Sequence, residues 1–116
     1  MNVKDKVKGY EKEFSEEGFW DKITSVVKVV GCDLIEKALI LYYVLKDSDT
    51  PNSVKALIYG ALGYFISPVD AVPDAIPVVG FGDDLGVLIA TMALLASSIK
   101  EEHKIKAKET IKKWCE

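Results

Sequence analysis

No arginine occurs in the 116 residues, and all fifteen basic side chains are Lys. The planar guanidinium fork that reads phosphates and guanine edges in pairs is therefore absent. With a net charge of -3, the chain also lacks the basic balance of a nucleic-acid binder. Cysteine is scarce. Cys32 and Cys115 lie far apart with no Cys-x-x-Cys and no Cys/His cluster, which argues against a disulfide framework or a zinc site and predicts two reduced thiols. Only one histidine is present, His103, and no pattern brings it to Ser67 or to a cysteine as nucleophilic catalysis would need. Residues 1–6 carry no apolar signal core, so the expected location is cytoplasmic, with the inner face of the cell membrane as the alternative.

Charge-free runs exist but are short. Residues 56–69 and 85–99 contain no charged side chain. As helices they span about 21 to 23 Å, less than the ~30 Å hydrocarbon core of a bilayer. Neither is an independent membrane span. Joined as a hairpin they could still enter one leaflet, with Lys46, Lys55 and the lysines of 100–113 on a single side.

Against these absences stands an apolar fraction of 49% beside 28% charge, which fits one domain, residues 1–116, with a single core. The mean hydropathy of +0.14 requires that charged and apolar residues be segregated along the chain, and they are. Val3, Val7, Tyr10 and Phe14 draw one stripe on a Lys/Glu-rich helix punctuated by Gly18. From Ile23 to Leu45 apolar residues recur at helical spacing, predicting a long helix bent near Gly31. Thr50 and Pro51 read as the N-cap and first position of a third helix. A last helix is predicted to start at Asp83 or Asp84, to run uncharged through residue 99, and to continue into the charged C-terminal segment. On that segment Ile99, His103, Ala107, Ile111, Trp114 and Cys115 mark one face, and His103 reads as a packed core histidine. The fold class is all-α: a small bundle of four to five helices with a central apolar hairpin joined by a Pro/Asp-rich loop.

The loop, residues 67–84, nearly repeats a tetrapeptide, Asp70-Ala71-Val72-Pro73 followed by Asp74-Ala75-Ile76-Pro77. Each proline restricts its own backbone and that of its predecessor, so the loop is stiff before any packing. Ser67, Pro68, Asp70, Pro73, Asp74, Pro77, Gly80, Asp83 and Asp84 resemble the signature of the YkvA-like family, a domain of unknown function in bacteria and archaea. The resemblance covers about residues 55–95. It implies a small helical domain, often membrane-associated, without an assigned activity.

The four aspartates have two readings. As caps, Ser67 and Asp70 frame a single helical turn beginning at Pro68, Asp74 starts another after Pro73, and Asp83 or Asp84 opens the last helix. As ligands, Asp70, Asp74, Asp83 and Asp84 could converge on a hard cation, Mg²⁺ or Ca²⁺, although no EF-hand spacing is present. Gly80-Phe81-Gly82 and Gly86 imitate a dinucleotide phosphate loop, but no βαβ unit accompanies them and the two aspartates would repel phosphate. Gly82, Gly86 and Ala90 read instead as a small-residue face for Gly60 and Gly63 of the third helix. Three functions remain open on sequence alone. The first is a non-enzymatic module for a protein partner or for self-association. The second is a membrane-associated hairpin, and the third a carboxylate cation site. No organic cofactor and no nucleic-acid partner is expected.

Overall fold

The computed structural model describes residues 3–66 and 77–115. Among these residues lie six α-helices, in order α1 Val3–Val7, α2 Glu16–Val30, α3 Cys32–Lys46, α4 Asn52–Ile66, α5 Pro77–Leu94 and α6 Glu101–Ile111. Short 3-10 turns occupy Glu11–Glu13 and Ala96–Ser98, and no strand is present among the described residues. The all-α reading stands, with more helices than the periodicity suggested.

The additional breaks have local causes. Gly9, at φ 91°, ends α1, and Ser15 starts α2, its Oγ accepting the Gly18 N–H at 2.9 Å. Gly18 therefore lies inside α2 instead of terminating the first helix. The long bent helix is two helices, since Gly31 takes φ 86° and ψ 169°, a combination essentially confined to glycine. That one residue reverses the chain so fully that the start of α2 meets the end of α3. Glu16 accepts from Tyr42 Oη at 2.6 Å and from Lys46 Nζ at 2.8 Å, and the Phe19 and Tyr42 rings stack at 4.7 Å.

Thr50 does not cap α4. Its hydroxyl donates backward to the Val44 carbonyl at 2.7 Å and closes the end of α3; the Pro51 carbonyl takes the first amides of α4. The predicted last helix is likewise two. It starts at Pro77, a residue pre-shaped for the first helical position, so Gly80, Asp83 and Asp84 fall within α5 rather than before or at its start. Ile99 and Lys100 are extended, and α6 begins afresh, which lets its His103, Ala107 and Ile111 stripe turn onto α3.

α3 forms the centre. It packs against α2, α4, α5 and α6, and nine of its fifteen residues are buried. Phe19, Ile23, Ile35, Leu39, Leu41, Ile58, Leu62, Leu88 and Ala107 are wholly enclosed around it. A second cluster joins Val3 and Val7 to Ala61, Tyr64 and Val87. The glycines of α4 serve this second cluster. A Cβ on Gly60 would stand 2.9 Å from Val7 Cγ2, and one on Gly63 would overlap the Tyr10 carbonyl. These positions admit the N-terminal segment, not the small-residue face of α5 expected from the spacing.

Candidate functional site

The loop aspartates are only partly placed. Ser67, Pro68, Asp70, Pro73 and Asp74 lie outside the described residues, while Asp83 and Asp84 occupy consecutive positions in the body of α5. The alternative that Asp83 or Asp84 caps the start of the last helix does not hold, because α5 is already two turns long at that point.

Among the described residues the densest polar constellation lies elsewhere, where the end of α3 meets the start of α6. Beyond α3 the chain turns tightly at 47–50, and Asp47 Oδ1 accepts the Asp49 N–H at 2.9 Å, an Asx turn. Its other oxygen faces α6, 2.8 Å from His103 Nε2 and 3.4 Å from Lys100 Nζ. Lys100 also reaches Asp49 at 3.3 Å. His103 is 1% exposed, and its Nδ1 accepts the Lys100 backbone N–H at 2.9 Å. The imidazole thus takes the place that Glu or Gln fills in a capping box. First the Asp49 amide and then the His103 ring hold the Asp47 carboxyl well below the usual carboxylate range, and the Lys100 charge adds to them. Lys100 is raised, first through its hydrogen bond to Asp49.

These bonds fix the chemistry of the ring. An Nδ1 that accepts from an amide leaves the proton on Nε2, and that proton points at Asp47. Neither nitrogen has a lone pair left for a substrate proton. The same assignment bears on metal. Asp47, Glu102 and His103 bring ligand-type atoms within 4.8 Å of one another, but a ligating histidine needs a bare ring nitrogen facing the ion and a donor N–H behind it. Here the polarity is reversed, and the Lys100 ammonium already occupies the carboxylate. The constellation suits a clasp between α3 and α6.

Sequence reading placed His103 correctly in the core and missed its partner. A lone histidine at the third position of a helix was the available hint; the acid it meets is 56 residues earlier.

The end of α6 carries a second attachment, one that sequence reading argued against. Cys32 and Cys115 are joined as a disulfide, their Cα atoms 6.3 Å apart across 83 residues of sequence. The expectation of two reduced thiols is overturned because α6 runs back along α3 and returns the C-terminal turn to the start of that helix.

The charge-free stretches part company in their surroundings. α4 sends Ile58, Ala61, Leu62, Tyr64 and Phe65 inward. On α5, Val87, Leu88 and Thr91 are buried, whereas Ile89 and Leu94 are 47% and 54% exposed and Ala93 accompanies them. Residues 85–99 hold no charge, so Ile89, Ala93 and Leu94 stand exposed on the charge-free half of α5. No helix among the described residues is both long and apolar enough to cross a membrane.

Comparison with curated proteins and with solved structures gives no match. Residues 54–90, which run from α4 into α5, match the model of the family described as Protein of unknown function (DUF1232), and the YkvA-like resemblance of the loop residues is consistent with that family.

Proposed function

We propose that the chain is a non-enzymatic helical interaction module whose contact surface is the outward face of α5, and that the first occupant of this surface is a second copy of the chain. The observation that carries the reading is the exposure of Ile89 and Leu94 in a stretch without charge. Large aliphatic side chains are the usual filling of a core, and the two left outside on the charge-free half of α5 mark an interaction surface. The saturated ring of His103 supports a module without acid–base chemistry at its single histidine. Ile58, Leu62, Phe65 and Leu88 already lie within the chain's own core, which supports a packed domain over a hairpin spread into lipid.

Sedimentation velocity over a wide concentration range tests the reading, with Ile89→Lys and Leu94→Lys as controls. The wild-type chain is expected to associate reversibly and both variants to stay monomeric with unchanged circular dichroism. A wild-type chain that stays monomeric at several hundred micromolar overturns self-association. Flotation of the wild-type chain with anionic vesicles, lost in the same variants, would replace it with the membrane reading.

A further inference from the structure

α6 is fastened at both ends, and the two fastenings differ in kind. At its start, the His103–Asp47 bond and the Lys100 ion pairs sit beside enclosed apolar contacts. Ala107 is buried midway, and in the last turn Ile111 is buried and Tyr43 and Thr110 share a hydrogen bond of 2.6 Å. None of these contacts involves the cysteines. The disulfide secures only the turn beyond Ile111, in which Trp114 and Cys115 lie against the main core and donate their amides back to the Ile111 carbonyl. Neither cysteine is enclosed: Cys32 is exposed and Cys115 half-buried.

We infer that the Cys32–Cys115 bond is a reversible redox latch, which a dithiol reductant opens to free the C-terminal turn while the helical bundle stays folded. A thiolate of the reductant attacks Cys115 Sγ, the Sγ–Sγ bond breaks, and its electron pair departs on Cys32 Sγ. The reductant's second thiol then displaces Cys115 from the mixed disulfide. The reductant ends as a disulfide, and the chain has gained two electrons and two protons. Cys32 is placed for the departing role, because it is the first residue of the fifteen-residue α3, whose unpaired amides face the emerging negative charge. The neighbouring Asp33 is engaged by Lys37 at 3.1 Å. In a reducing compartment dithiol reductants hold the latch open, and a disulfide oxidant recloses it by the reverse exchange, taking up the two electrons and two protons; in an oxidising compartment it stays shut. Opening uncovers Trp114 and the apolar surface beneath it. This inference does not depend on the α5 surface.

The test uses the whole chain, oxidised and then treated with dithiothreitol under native conditions. Two thiols should become titratable without denaturant. Amides at 112–115 should lose hydrogen-exchange protection while those of α3 keep it. In a Trp20→Phe background, Trp114 emission should shift to the red and return on reoxidation. The thermal midpoint should fall by up to about 15–20 °C, the entropy of a loop this long spread over a domain this size. The double variant Cys32→Ser/Cys115→Ser should match the reduced chain. A bond that yields only in denaturant overturns the latch, as does reduction that melts α3 along with the turn. Unchanged exchange at 112–115 after reduction, or a purified chain whose thiols never pair, also overturns it.

Discussion

α3 and α5 invert the ordinary relation between hydrophobicity and burial. α3 carries Asp33, Glu36, Lys37 and Lys46, yet it is the axis of the bundle, touched by four other helices and buried at nine positions. α5 lacks charge from residue 85 onward, yet it lies to one side and leaves Ile89 and Leu94 in the open. A helix is buried by the number of neighbours it acquires, which is a property of the path of the chain. Apolar surface beyond what those neighbours cover stays on the outside, and in α5 it is what the proposed association uses.

Substitutions can break this contrast. Leu39→Ala, at a fully enclosed site of α3, should cost about 2–5 kcal/mol by urea denaturation; the matching Ile89→Ala on α5 should stay within about 0.5 kcal/mol. Equal losses at the two sites would erase the distinction between them. Gly63→Ala comes next. Its methyl group would collide with the Tyr10 backbone, so α1 and the turn after it must move, at about 1–3 kcal/mol. Val3 and Val7 should then become exposed to limited proteolysis while α3 keeps its hydrogen-exchange protection.

Acid sharpens the comparison at the other end of α3. Asp47 lies lower in the folded chain than in the unfolded one, so its contribution is fully present above the ordinary carboxylate range and is lost as pH falls through that range and below it. Glu16 has the same sign: burial alone would raise it, but the hydrogen bonds from Lys46 and Tyr42 and the Lys46 charge outweigh burial and lower it. Thermal midpoints between pH 6 and pH 3 should decline less steeply for Asp47→Asn than for the wild type, with the Glu16 share remaining. Parallel profiles would show that the clasp holds no pH-linked stability. The smallest effect on folding belongs to Ile89→Lys and Leu94→Lys, which should move stability by no more than about 0.5 kcal/mol while abolishing association.

Much of the architecture is legible in the order of residues. The stripes on α2, α3 and α6 predict which faces turn inward, because an amphipathic helix has only one way to bury its apolar side. Gly31 is recognisable as a discontinuity; that it reverses the chain instead of bending it depends on a backbone conformation periodicity does not encode. The start of α5 is easily misread because Gly80, Gly82 and two aspartates carry the local marks of a loop, whereas Pro77 is pre-shaped for the first position of a helix. Gly60 and Gly63 are recognisable as points of close approach but point to the wrong neighbour, since a missing side chain does not say who fills the space.

Residue order was enough for the helical class, the segregation of charge from apolar surface, the core placement of His103 and the excess of hydrophobicity at 85–99. These are properties of single segments, set by spacing along one helix. The path of the folded chain was needed for Asp47 to meet His103, for Cys32 to meet Cys115, and for α3 rather than the uncharged hairpin to form the centre. The two pairings join positions more than fifty residues apart, and such pairs are fixed only when every intervening turn has closed.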